Sequence, residues 1–468
     1  MTNFPYKHVH LVGIKGVAMT ALAQLLGDYG VAITGSDVAA DFVTQDILAT
    51  LNLPVQSSFL EALPEKTECV IYTAAHQAVN NPQVQLALAT GLATFSHAEA
   101  LAIFFNQKQG IAVCGVGGKS TTAAMITWIL ERLGQQPSYA IGVGSIVGLT
   151  QTGKFSSTGK TFIAEADEYV TNPTEPDPKL RVARFSYLRP SVIVCTNILH
   201  DHPDVYPEEA DTLAIFNQFF KQLTTPGTLI INSRSLAAVS AQVTQLITYG
   251  SRPNDTFQLL PQVTVTDKVA TATLIYQGKS YVITLRVPGF FNLLNATATI
   301  AACVTLGFSP IDCIQAIQSF ASTKRRFENK GTLHGVQYYD DYAHHPAEIA
   351  ATILAAKEWE PSKRIVFAFQ PHTYSRTKKL FLEFATALAS ADELLLLPIY
   401  ASAREQSDST ISSEMLLTAI QQKKKLKTAR VLPTIADLAT WCQENLRSGD
   451  VFITVGAGDI YLLHNLLQ

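Results

Sequence analysis

An excess of basic charge is what this 468-residue chain most plainly lacks: 35 Lys and Arg against 38 Asp and Glu leave a formal net charge of −3. Gripping a nucleic acid or an anionic membrane takes a cationic face that releases counterions, and a balanced surface provides none. Neither is expected as a partner. Cysteine is sparse as well. The six, Cys69, Cys114, Cys195, Cys303, Cys313 and Cys442, contain no C-x-x-C pair, which fits neither a disulfide framework nor a zinc site and leaves reduced core thiols. No run reaches the roughly 18 uncharged apolar residues of a membrane span. The expectation is a cytoplasmic protein, a monomer or homodimer.

What is present is ample apolar material, 47% of residues against 16% charged, enough for substantial cores. At roughly 100 to 200 residues per domain the length favours about three domains. A strand over residues 8–13, a glycine-bearing turn, a helical pattern over 19–26 and a strand over 31–34 closed by Gly35-Ser36-Asp37 give the order of a nucleotide-binding βαβ unit. Composition turns polar near residues 105–110. Strand patterns then recur at 111–114, 161–164, 191–195 and 227–231, with antiparallel alternation over 256–287 and an Ala-rich helix over 293–306. After the basic knot Lys324-Arg325-Arg326, a third series runs through 336–339, 364–369, 393–397 and 451–455. The predicted fold is α/β in three domains: 1–107, Rossmann-like; 108–322, a P-loop ATPase-type, mostly parallel sheet; 323–468, a second Rossmann-like α/β unit.

The sharpest local signal is Gly115-Val116-Gly117-Gly118-Lys119-Ser120-Thr121 between a strand and a helix. Backbone N–H groups of such a turn converge on phosphate, the lysine reaches the outer phosphates and the Ser hydroxyl sits on Mg2+. The run departs from G-x-x-x-x-G-K-[ST], since Val113 stands where the first Gly belongs, and a plain glycine turn with a solvated lysine is the competing reading. Glu165-Ala166-Asp167-Glu168 closes the strand over 161–164, where a Mg2+ ligand or an ordinary acidic loop would sit. His200-Asp201-His202 ends the next strand similarly, and one imidazole there suits a metal or a phosphate. Arg325 and Arg326 read as surface residues or as cations for a transferring phosphoryl group. His372 and Arg376, after the strand over 365–369, hold a carboxylate or face water. Lys15, inside the turn Gly13-Ile14-Lys15-Gly16, would favour a pyrophosphate. Cys114 is expected to be a small apolar residue rather than a nucleophile.

Taken in order along the whole chain, these runs resemble the Mur ligases of peptidoglycan synthesis. The runs are His10-Leu-Val-Gly-Ile-Lys-Gly16, Gly35-Ser-Asp37, residues 115–121, Glu165 to Glu168, Thr196-Asn197 with Asp201-His202, Pro288-Gly289 with Asn292 and Asn295, Arg325-Arg-Phe327, Asp340-Asp-Tyr-Ala-His-His-Pro346, Phe369-Gln-Pro-His372 and Gly456-Ala-Gly-Asp459. The resemblance implies an ATP- and Mg2+-dependent ligase that joins L-alanine to the carboxylate of UDP-N-acetylmuramate through an acyl phosphate. It implies a UDP-sugar site at Gly13, Lys15, Gly16, Val17, Ser36, Asp37 and Thr73 in the first domain. ATP phosphates would lie on Gly115, Val116, Gly117, Gly118, Lys119, Ser120 and Thr121, with Asn292 and Asn295 at the adenine and Asp341 at the ribose. Ser120 and Glu165 would hold one Mg2+ and His202 a second. Arg326 would meet the transferring phosphoryl group, giving Lys119, Glu165, His202 and Arg326 as the catalytic set. Tyr342, His344, His372 and Arg376 would face the amino acid in the third domain.

The chain departs from the family pattern in several places. Val116 and Gly117 replace the usual Thr and His, and Phe291 stands where most relatives carry His. Residues 203–220 contain no lysine for the carbamylation that some relatives use. The segment after Tyr169 is longer than the alanine-adding pattern and is similar to that of the ligase that recycles a tripeptide onto UDP-N-acetylmuramate, whereas the run at 369–372 favours L-alanine. Two rival classes remain: a nicotinamide-dependent oxidoreductase, suggested by residues 13–37, and a noncatalytic sensor of nucleotides or UDP-sugars, suggested by the departures.

Overall fold

A computed structural model describes residues 4–401, 405, 407–424 and 426–467. Three sheets follow one another along the chain. The first has five parallel strands in the order Val55–Gln56, Ala32–Ser36, His8–Val12, Cys69–Tyr72, Ala93–Ser96. His8–Val12 lies at its centre, and Val9, Leu11 and Val12 are almost wholly buried, as expected for a parallel strand covered on both faces. The helix Val17–Tyr29 follows it, and Gly30 in the left-handed conformation ends that helix by donating to the carbonyls of Gly27 and Leu26.

The middle sheet has eleven strands. Its parallel centre runs Thr228–Asn232, Val192–Cys195, Gln109–Cys114, Thr161–Glu165, Ser138–Ala140. Residues 256–287 are mostly antiparallel as expected: Val269–Tyr276 pairs with Lys279–Leu285 and with Thr264–Thr266. Phe257–Leu259 differs, running parallel to Gln245–Gly250 on its other side. The helices Lys119–Arg132 and Phe290–Thr305 pack together beside this sheet. Ala296, Ala298, Ala301 and Ala302 let the second helix lie close, and each buried Ile or Leu in the surrounding core stabilises it by about 1.5–3 kcal/mol. The helix Lys119–Arg132 begins two residues before its apolar pattern because Gly118, at φ +79°, turns the chain directly into it.

The third sheet runs Glu328–Leu333, Val336–Asp341, Val451–Val455, Ile365–Phe369, Glu393–Leu396, Thr428–Val431, parallel except for its first hairpin. All six cysteines are free and buried. Among the described residues no helix is long and apolar enough to cross a membrane.

One contact fastens the first sheet's helix to the middle sheet. Gln24, only 3% exposed, accepts at Oε1 from Thr152 N, Thr152 Oγ1 and Gly153 N at 2.9–3.0 Å. A Cβ at Gly153 would fall 1.8 Å from the Ala21 carbonyl oxygen, so only glycine fits there.

Candidate active site

Three neighbouring strands of the middle sheet end at the same height. Val113 pairs with Glu165 and Cys114 with Cys195, so the loops after them share the carboxyl edge, where open parallel sheets bind ligands. The first loop carries Gly115, Gly117 and Gly118 at φ +116°, +80° and +79°. A Cβ would fall 2.4 Å from Thr196 Oγ1 at Gly115 and 2.8 Å from Asn295 Oδ1 at Gly118. Thr196 Oγ1 donates to the carbonyls of Gly117 (2.7 Å) and Cys114 (3.2 Å), tying the loop to the next strand.

Lys119 opens the helix and its Nζ donates to both oxygens of Glu168, at 3.2 and 3.0 Å. Burial opposes its charge, but Glu168, Asp167 and Glu165 outweigh burial and hold the amine protonated above its usual range. Ser120 Oγ donates to Glu165 Oε1 at 2.9 Å, and Gly142 N donates to Glu165 Oε2 at 3.1 Å. Burial raises the Glu165 carboxyl above its usual range in spite of Lys119 and Arg326.

Asp167, Glu168 and His202 bring donor atoms within 4.8 Å of one another. His202 groups with these two acids, whereas Ser120 groups with Glu165. Glu168, the partner of Lys119, had no signal in the sequence beyond its place in the acidic run. His202, at φ +60°, lies 3.6 Å from Glu168 and 3.7 Å from Asp201. Burial disfavours its proton, but Asp201 and Glu168 raise its basicity overall. His200 turns elsewhere, onto the Tyr206 carbonyl at 2.8 Å.

The third domain separates the two adjacent arginines. Arg325 is 6% exposed, pairs with Asp340 at 3.0 Å, donates to the carbonyls of Gly456 and Gly458, and is flanked by the rings of Tyr342 and Tyr461. Arg326 instead reaches the middle sheet, its Nη2 donating to Ser120 Oγ at 3.3 Å, with its guanidinium 4.9 Å from the Tyr342 ring centre. Asp341, expected at a ribose, is 6% exposed and accepts from Phe327 N, Ala343 N and Thr352 Oγ1. In this structure its carboxylate holds the chain around Arg326.

Arg376 crosses to the middle domain, donating from Nε and Nη2 to Asp201 Oδ1 at 3.0 and 2.9 Å. Its Nη1 is 3.5 Å from His372 Nδ1, and the His372 and His344 rings are 6.4 Å apart. His344 contacts the Tyr342 carbonyl at 3.1 Å, and burial pushes it down to about 4. The expected Tyr342, His344, His372 and Arg376 are thus one cluster facing Asp201. Asn292 and Asn295 stand one turn apart, with Asn295 Nδ2 donating to Asn292 Oδ1 at 3.3 Å and Asn295 beside Gly118.

The first domain departs most from expectation. Gly13, at φ +83°, backs onto Thr73, whose Cγ2 lies 2.3 Å from where a Cβ would be, and Gly16 caps the helix beginning at Val17. Asp37 accepts from Lys15 N at 2.8 Å and lies 3.3 Å from His76 Nε2. Lys15 Nζ, however, donates to the carbonyls of Val38 and Ala40, both at 2.8 Å. Its charge holds the segment after Asp37 rather than the mouth of the turn. Ser36 is wholly buried and donates to Gln83 Oε1, in a network with His10. Its hydroxyl therefore faces the interior rather than a ligand. Beside Asp37 opens a cavity of about 480 Å³ lined by Val38, Phe59, Leu60, His76 and Asn81. Phe59 and His76, rings 4.9 Å apart, line that cavity and carried no motif by which sequence could select them.

Three family models match in chain order: "Mur ligase family, catalytic domain" over residues 8–109, "Mur ligase middle domain" over 113–303 and "Mur ligase, glutamate ligase domain" over 325–458. The chain belongs to the Mur ligase family. A UDP-N-acetylmuramate--L-alanine ligase of Desulfitobacterium hafniense is 35% identical over 459 residues, 97% of this chain and 98% of that protein. The protein of the same name from Lachnospira eligens is 35% identical over 463 residues, 97% and 96% of the two chains. Among solved structures, a UDP-N-acetylmuramate-alanine ligase of Thermotoga maritima superposes with TM-score 0.78 at 23% identity over 98% of both chains. A murein peptide ligase of Psychrobacter arcticus follows with TM-score 0.68 at 21% identity, again over 98% of both. These two likenesses speak for the three-domain α/β fold.

Proposed function

We propose that this Mur ligase joins L-alanine to UDP-N-acetylmuramate with hydrolysis of ATP to ADP and phosphate, a cytoplasmic step of peptidoglycan precursor synthesis. The observation that carries the reading is the meeting of two domains at one sheet edge. Arg326 touches Ser120 beside Lys119, while Arg376 touches Asp201 beside His202. A cation for a phosphoryl group and one for a small carboxylate so reach the same sheet edge from the third domain. The domain division at 1–107, 108–322 and 323–468 assigns the UDP-sugar, ATP and amino acid to successive units.

A carboxylate is a poor acyl donor, so the γ-phosphoryl group is first transferred to the muramoyl carboxylate. The L-alanine amine attacks the resulting acyl phosphate, and the tetrahedral adduct expels phosphate. Lys119 exchanges Glu168 for the outer phosphates, and Arg326 meets the charge that spreads over the phosphoryl oxygens. Asn292 and Asn295 face the nucleotide base next to Gly118, and Asp341 keeps Arg326 and Tyr342 in place. Arg376, with His372, takes the L-alanine carboxylate, and Tyr342 and His344 wall its pocket. In the first domain the cavity lined by Val38, Phe59 and His76 takes the UDP end, with Asp37 behind His76 and with Gly13, Gly16, Val17 and Thr73 forming the turn at the strand end.

The carboxylates and hydroxyl present suit Mg2+, a hard cation that prefers oxygen donors: Ser120 with Glu165 would hold one ion, and Glu168 and Asp167, with His202 beside them, a second. Bound there, Mg2+ supplies neutralisation of phosphate charge.

The test is a product mass from UDP-N-acetylmuramate, ATP and Mg2+ offered L-alanine and the tripeptide together. The L-alanine adduct is expected. The tripeptide adduct is favoured instead if the segment from Thr171 to Val182, which reaches the first domain through Thr174 and Asn80 at 3.0 Å, widens the amine site. Nucleotide binding with no amine-dependent phosphate release would make the chain a sensor.

A further inference from the structure

The helix Pro346–Trp359 of the third domain lies against the middle domain at its start and is bonded to it at its end. At its start, Glu348 accepts at Oε2 from His344 N and His345 N, which caps the helix. The other oxygen of that carboxylate lies 2.7 Å from where a Cβ at Gly117 would be. Gly117, which stands where the family usually has His, leaves the space into which the helix start fits.

The far end is met by a hairpin turn. Asp267 and Lys268 join Thr264–Thr266 to Val269–Tyr276, with Thr266 opposite Val269. Both have positive φ, +50° and +60°, the two-residue turn that Asn-Gly ordinarily fills. A lysine is disfavoured in that backbone, so its presence asks what the side chain does. Lys268 Nζ donates to the Trp359 carbonyl at 2.8 Å, pairs with Glu360 at 2.5 Å and lies 5.5 Å from the Trp359 ring centre. Glu360 is only 4% exposed and also accepts from Tyr339 Oη at 2.9 Å. A cation near a helix C-terminus satisfies its last carbonyls and meets its negative end.

We infer that Lys268 is a positioning residue for the ligase reaction, a latch on the hairpin tip that seats the helix Pro346–Trp359 and so sets Arg326 and the His344 cluster over the phosphate loop. The helix is about 20 Å long at 1.5 Å per residue, so the latch works at a distance from the reacting atoms and touches no substrate. The inference rests on the ligase reading for its kinetic effect and on the domain contact alone for its structural one.

The experiment compares full-length wild type with Lys268→Ala, Lys268→Arg and Lys268→Gly. ATP held by the middle domain alone should bind Lys268→Ala as it binds wild type, while kcat/KM for L-alanine falls about fivefold or more and the radius of gyration in X-ray scattering rises, as for a domain that closes less often. Lys268→Arg should restore both. Lys268→Gly relieves the turn backbone and should keep the melting temperature near that of wild type, yet lose kcat/KM as Lys268→Ala does. Kinetics and scattering unchanged in Lys268→Ala overturn the latch. A loss that tracks melting temperature and spares Lys268→Gly also overturns it, because the residue then serves only the hairpin. A wild type without amine-dependent turnover overturns the ligase reading instead, and the scattering comparison still decides the latch.

Discussion

Arg326 and Ser120 lie 206 positions apart in the chain, yet the guanidinium of one donates to the hydroxyl of the other at 3.3 Å. A third-domain cation therefore rests on the first turn of the helix that follows the phosphate loop.

Neighbouring arginines should respond oppositely to truncation. Arg326→Ala is expected to lower kcat by about 10²–10³, the scale of one lost transition-state donor, at an unchanged melting temperature. Arg325→Ala leaves Asp340 buried without its cation, which costs about 3–5 kcal/mol, and should appear as a lowered melting temperature. Steady-state kinetics and thermal denaturation of the two variants separate the roles.

Removal of Lys119 carries a second consequence through Glu168. Lys119→Met should abolish turnover and weaken ATP binding, and should also strand the carboxylate of Glu168, which is 1% exposed. The double variant Lys119→Met with Glu168→Gln is expected to recover stability without activity, with a coupling of about 0.5–3 kcal/mol as typical of contacting pairs. Equal melting temperatures for the single and double variants would argue against the pair.

Acid should destabilise the fold through histidines that are buried neutral. Burial pushes His10 and His464 down to about 4 from 6.5. The unfolded chain takes up these protons below about pH 6.5 while the folded one refuses them, so stability is full above that pH and is lost as pH falls towards 4, by about 3 kcal/mol for each group at 1.36 kcal/mol per unit. Melting temperature against pH should fall across that window, and less steeply in His464→Gln, which removes one of these groups; His97 and His344, likewise pushed down to about 4, add to the same fall.

Arg376→Lys is expected to raise KM for L-alanine about tenfold with KM for ATP unchanged, since a lysine loses the paired geometry that Arg376 uses on Asp201. Initial-rate measurements with each substrate varied in turn decide it.

Much of the scaffold was legible because glycine and charge punctuate apolar runs at strand ends. The phosphate loop, the acidic run after it and the strand over 451–455 all fall where pattern put them. What stayed hidden was pairing. Which acid meets Lys119, why Arg325 and Arg326 diverge, and where Lys15 points depend on contacts between residues far apart in sequence, to which local period is blind. The burial of Ser36 was hidden for the same reason: its partner Gln83 is 47 positions away.

The Gln24 contact with Thr152 and Gly153 has a mechanical corollary. It ties the helix of the first sheet to the edge of the middle sheet, so that a change at Gln24 is felt in two domains at once. On the proposed reading, a substrate held at its sugar-nucleotide end in the first domain would reach Lys119 across this joint.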